Sequence, residues 1–144
     1  MAVVVLQGDI RVPLVLVVDD GEEARDLYCA YLEFHGLRAQ AAEDGISGLG
    51  MAEANAPDVV VLDFSMPKMD GVEVLHRLKA QELTRLIPVV MLTAMPQLVS
   101  SSTREECDAF LQKPCDPDQL LRTILRLVRR RRSARRAAMR RAAE

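Results

Sequence analysis

Residues 14–20 read Leu14-Val15-Leu16-Val17-Val18-Asp19-Asp20, an unbroken apolar run that ends in two carboxylates. Five aliphatic residues in a row, without polar alternation, suit a parallel strand covered on both faces. Three more short runs end on a polar residue in the same way. Val59-Val60-Val61-Leu62 leads to Asp63, Val89-Val90-Met91-Leu92 to Thr93, and Phe110-Leu111-Gln112 to Lys113. Leu37 to Ala41 supplies a further short strand.

The segments between these runs carry helical periodicity. Ala24, Leu27, Tyr28, Tyr31 and Leu32 recur on one face, Glu22 and Glu23 stand in the first turn where the helix dipole favours them, and Gly36 closes the helix. The next helix, Ile46 to Asn55, contains Gly48 and Gly50 and is predicted to be the weakest, because an interior glycine costs about 1 kcal/mol relative to alanine. Val72, Leu75 and Leu78 mark a third helix after the loop Met66-Pro67-Lys68-Met69-Asp70-Gly71. Residues 97–106 are polar and serine-rich with only Leu98 and Val99 to bury, which predicts a short, loose fourth helix. Asp116 and Pro117 provide an N-cap and first-turn proline for the last helix, whose stripe is Leu120, Leu121, Ile124, Leu127 and Val128. Five alternations of strand and helix specify a doubly wound parallel α/β sheet.

Composition narrows the class further. The chain has 144 residues, which fits one domain with an adequate core and needs no disulfide or metal clip. Aromatics make up only 3%, so the core must be aliphatic. Cys29, Cys107 and Cys115 lack metal or redox spacing, and with no secretory signal they point to reduced thiols in the cytoplasm. No run approaches the ~20 apolar residues of a membrane span. The net charge of −2 hides a division: residues 122–144 hold ten arginines and one glutamate, so the remainder carries −11. Patterning for burial ends at Val128. The Arg/Ala-rich segment 129–144 has helical propensity, opposed by repulsion among its arginines, and reads as a tail. Residues 1–12 form an N-terminal extension in which Val3 to Leu6 either adds an edge strand or stays disordered.

In an open parallel sheet the carboxyl ends of the strands share one rim, where ligands bind. Asp19, Asp20, Asp63, Thr93 and Lys113 therefore converge on one pocket. Three adjacent carboxylates raise one another's pKa unless a cation compensates, and an all-oxygen set selects Mg²⁺ or Mn²⁺ over softer metals. A carboxylate in such a pocket, with an ammonium nearby, is also equipped to attack phosphorus.

These residues, together with Pro57-Asp58 ahead of the third run, the Met66–Gly71 loop, Thr93-Ala94 and Lys113-Pro114, resemble the receiver domain of bacterial two-component response regulators. The resemblance spans residues 13–128. It implies a flavodoxin-like five-stranded parallel sheet of order 2-1-3-4-5. It makes Asp63 the phosphoacceptor, with Asp20, Asp63 and the Ser65 backbone carbonyl as direct Mg²⁺ ligands and Asp19 acting mainly through water. Lys113 would pair with the phosphoryl group, Thr93 would move to hydrogen-bond it, and Phe110 would turn inward in response. Lys113-Pro114 resembles a bond that is cis in the family. The donor would be a histidine kinase or phosphotransfer protein, and the output an altered surface read by a downstream protein.

Departures from the pattern fall between Thr93 and Lys113. That stretch is short, Pro96 comes early, and Glu106-Cys107 replaces a usual small pair. Cys115 replaces a common aromatic and reads as apolar packing, while His35 and His76 lie away from the rim. The sequence predicts a non-enzymatic signalling domain without an attached output module after Val128. Its alternative is a pseudo-receiver working as a constitutive interaction module. A phosphatase of the haloacid-dehalogenase type is disfavoured because Ser65 stands where such enzymes carry a second acid. The arginine-rich tail offers itself to an anionic partner such as nucleic acid, a membrane surface or an acidic protein.

Overall fold

The computed structural model describes residues 11–144. The chain alternates β1 (Leu14–Val18), α1 (Glu22–Phe34), β2 (Arg38–Ala42), α2 (Gly45–Asn55), β3 (Val59–Asp63), α3 (Gly71–Ala80), β4 (Val89–Thr93), a 3-10 turn (Pro96–Leu98), α4 (Ser101–Glu106), β5 (Ala109–Gln112) and α5 (Pro117–Ala143). The strands form one parallel sheet of order β2-β1-β3-β4-β5. This is the flavodoxin-like arrangement, with its switch point between β1 and β3.

The continuous apolar runs are explained by two cores, one on each face. Val15 and Val17 of β1, Val59 and Val61 of β3, and Val90 and Leu92 of β4 pack against α1 and α5 through Tyr28, Leu32, Leu120 and Ile124. The alternate residues, Leu16, Val18, Val60, Leu62, Val89 and Met91, pack against α2 and α3 through Leu49, Val74, Leu75 and Leu78. Cys115 joins the first core and Cys107 the second, and all three cysteines are free. Gly48 accounts for the glycine content of α2. A Cβ there would lie 2.8 Å from Val18 Cγ2, so the small residue lets α2 sit close on β1.

Two aspartates fasten the amino ends of the sheet. Asp58 precedes β3 and accepts the Leu14 N–H of β1 at 2.8 Å. Asp108 precedes β5 and accepts the Val89 N–H of β4 at 2.8 Å, and it also pairs with Lys79 of α3 at 2.9 Å. Each satisfies a strand-end donor that the ladder leaves open.

Three expectations change. Leu98 is 61% exposed on the 3-10 turn, so only Val99 of that apolar pair is buried. Strand β2 begins at Arg38, because the Leu37 N–H bonds the Leu32 carbonyl at the end of α1. Helix α5 does not stop with its apolar stripe. It continues as one helix to Ala143, anchored where Arg131 donates to the Pro57 carbonyl at 3.3 Å and the buried Arg132 donates to the Arg11 carbonyl at 3.0 Å and lies 3.7 Å from Asp58. These anchors outweigh the repulsion among its arginines. The edge strand expected at Val3 to Leu6 falls outside the described residues. Among the described residues no helix is long and apolar enough to cross a membrane.

Candidate functional site

The topology delivers the polar strand ends to one rim. Asp19 and Asp20 directly follow β1, Asp63 closes β3, Thr93 closes β4 and Lys113 follows β5. Asp19, Asp20 and Asp63 each present a carboxylate oxygen within 4.8 Å of the others. Asp19 and Asp63 are buried, whereas Asp20 is exposed at the mouth. Lys113 Nζ reaches across, 3.0 Å from Asp19 Oδ2 and 3.3 Å from Asp63 Oδ1.

Local structure holds each group in place. Asp19 Oδ1 accepts the Gly21 N–H at 2.8 Å, and the Asp19 carbonyl accepts from Arg25 Nη1 at 2.7 Å. The Ser65 N–H lies 3.4 Å from Asp63 Oδ1, so the loop after β3 turns back over the carboxylate. Gly71 makes that turn possible: its N–H bonds the Phe64 carbonyl at 3.0 Å, and any Cβ would collide with the Asp63 carbonyl oxygen. Thr93 Oγ1 accepts the Met95 N–H at 3.0 Å, and the Thr93 carbonyl accepts the Lys113 N–H at 2.7 Å. The Lys113–Pro114 peptide is cis.

Burial pushes the Asp63 carboxyl up to about 6, and the Asp19 charge adds to this while Lys113 opposes it. For Lys113, burial alone would favour the neutral amine. The hydrogen bond to Asp19 and the charges of Asp63 and Asp19 outweigh burial and hold the ammonium above its ordinary value. Three acids against one ammonium leave the pocket short of positive charge. Their all-oxygen donor set fits a hard divalent cation, and its carboxylates are near enough to share one.

Phe110 lies on β5, opposite Met91 of β4, and not at the rim itself. Its half-buried ring packs on the second core and is covered by Arg104 of α4, whose guanidinium carbon is 4.5 Å from the ring centroid. Arg104 also bonds the Pro96 carbonyl. Two contributors carried no signal for this role in the sequence: Arg25, which acts through a backbone carbonyl, and Arg104, which acts through a ring. Gly71 was visible only as a turn residue.

Residues 15–125 match the sequence profile of the response regulator receiver domain. The chain belongs to that family. Receiver domains are signalling domains that interact with histidine kinases or phosphotransfer proteins. The chain is 38% identical over 120 residues to the DNA-binding dual master transcriptional regulator RpaA of Synechocystis, covering 82% of this chain and 50% of that protein. It is 34% identical over 118 residues to the phosphate regulon transcriptional regulatory protein PhoB of Escherichia coli, covering 81% and 52%. This receiver thus spans about half the length of the curated relatives it matches. Among solved structures, the Vibrio cholerae chemotaxis protein CheY4 superposes with a TM-score of 0.73 at 30% identity, covering 81% of this chain and 99% of that one.

Proposed function

We propose that this receiver is a phosphorylation switch in which Asp63 accepts a phosphoryl group from a phosphohistidine of a partner kinase or phosphotransfer protein. The observation that carries the reading is the placement of Asp63, buried beside Asp19 and within 3.3 Å of the Lys113 ammonium. An Asp63 carboxylate oxygen attacks phosphorus, the P–N bond of the donor breaks, and the imidazole leaves with a proton from solvent. Lys113, already between Asp19 and Asp63, pairs with the incoming phosphoryl oxygens. Asp19, Asp20, Asp63 and the Ser65 carbonyl would hold Mg²⁺ or Mn²⁺, which when bound neutralises charge on those oxygens.

The readout runs through Thr93 and Phe110. A phosphoryl group on Asp63 gives the Thr93 hydroxyl, which accepts the Met95 N–H, a charged oxygen to which its own O–H can donate. Movement of Thr93 opens space for the Phe110 ring, which leaves its cover under Arg104 and alters the surface formed by α4 and β5.

Incubation with Mg²⁺ and acetyl phosphate should add one phosphoryl mass to the wild-type chain and none to Asp63→Asn. Equal labelling of the two would remove Asp63 from the role. A constitutive interaction module would show no labelling in either.

A further inference from the structure

The end of the sheet opposite the acidic rim gathers guanidinium groups. Arg11 before β1, Arg38 at the start of β2, and Arg131 and Arg135 one turn apart on α5 line a cavity of about 320 Å³. Among the described residues the one acidic side chain in its wall is Asp58, whose carboxylate already accepts the Leu14 N–H at 2.8 Å and faces Arg132 at 3.7 Å. Among the described residues Arg38, Arg131 and Arg135 form no ion pair. Arg38 donates to the Val12 carbonyl at 3.2 Å and Arg131 to the Pro57 carbonyl at 3.3 Å, one N–H each of the five a guanidinium carries. Burial and the neighbouring Arg135 charge push Arg131 below its usual value, Asp58 opposes this, and Arg11 adds to it.

Arg38, Arg131 and Arg135, like charges brought together from β2 and α5, call for a counter-ion. Guanidinium forks match phosphate oxygens two at a time, which lysines would not do. The volume exceeds a lone phosphate, and the remaining described wall residues, Val12, Leu14, Asn55 and Ala56, include no aromatic side chain on which a base would stack. Recognition therefore falls on a run of phosphates and not on a nucleobase.

We propose that Arg11, Arg38, Arg131 and Arg135 form a binding site for an oligophosphate anion, at the amino end of the sheet and separate from the phosphoacceptor rim. The phosphates come either from a free oligophosphate or from a polynucleotide backbone.

The test is calorimetric titration of the full chain with inorganic tripolyphosphate, in buffer without divalent cations so that the ligand stays free. Saturable, salt-sensitive binding is expected. Arg38→Gln with Arg135→Gln, both exposed side chains, should weaken it by about tenfold or more. Arg136→Gln with Arg140→Gln removes the same amount of charge, from α5 alone and outside the cavity wall, and should leave the affinity within about twofold. No saturable binding, or equal weakening by the two pairs, overturns the proposal. With that result in hand, titration with a short oligothymidylate identifies the source. Selective loss in the Arg38/Arg135 pair places a polynucleotide backbone in the cavity, whereas indifference to that pair assigns it to a free oligophosphate.

Discussion

The role proposed for Asp63 sets two demands against each other: the carboxylate would have to be ionised to react, yet it is buried beside another acid. Because its folded pKa of about 6 lies above the ordinary carboxylate value, the folded state binds more protons between about pH 4 and 6. Stability contributed by the protonated form is therefore lost as pH rises through that window. In buffer without divalent cations, Asp63→Asn should gain on the wild type between pH 4.5 and 7.5 by about 1–3 kcal/mol in urea unfolding. A constant difference across those pH values would contradict the strained carboxylate. Arg104 invites a second single-residue test. Its contact with the Phe110 ring is worth about 0.5–1 kcal/mol, and it covers the ring where that ring packs, half-buried, on the second core. Arg104→Ala should then raise the initial rate of labelling by acetyl phosphate by about two- to fivefold; an unchanged or slower rate would break the link between ring and rim.

At the scale of elements, the strands were legible because a parallel sheet buried on both faces leaves an apolar run ending abruptly at the rim. Asp19, Asp63 and Thr93 could each be placed on that basis, whereas Lys113 follows the half-buried edge strand β5, whose run ends on Gln112. The aspartates at the other ends of the strands gave no such signal, since Asp58 and Asp108 look like ordinary loop acids until their neighbours across the sheet are known. Asp108→Ala should cost about 2 kcal/mol by leaving the Val89 N–H without its acceptor and Lys79 with the Ile87 carbonyl in place of a carboxylate, measured by chemical denaturation. Helix α5 misled for a related reason. Arginine reads as solvated, yet Arg132 is 5% exposed and docks on segments far away in the sequence. Truncation after Val128 should therefore cost about 1–3 kcal/mol, whereas truncation after Arg136 should cost less than about 0.5 kcal/mol. Equal thermal stability of the two truncated chains would show the anchors to be inert.

For the molecule as a whole, two charge clusters face opposite ways along the strands, Asp19, Asp20 and Asp63 around Lys113 at the carboxyl rim and four arginines around Asp58 at the amino end. The acidic half was readable from strand ends. The basic half was not, because Arg11 and Arg38 meet Arg131 and Arg135 only after β2 and α5 have taken their places. Divalent ions should act on the acidic half alone. Mg²⁺ at about 100 times its dissociation constant should stabilise the fold by about 2.7 kcal/mol, and Asp20→Asn should lose most of that gain in a thermal melt, since Asp20 is the cluster's exposed carboxylate.

The continuity of α5 has a mechanical corollary. From Arg132, the buried anchor beside Asp58, the helix runs on for about 16 Å at ~1.5 Å per residue, which is the geometry of a lever with its fulcrum at Asp58. A tilt of about 15° at that fulcrum sweeps the free end through about 4 Å. A small readjustment of packing against β5 would thus be amplified into a displacement large enough for a spectroscopic label near Ala143 to follow.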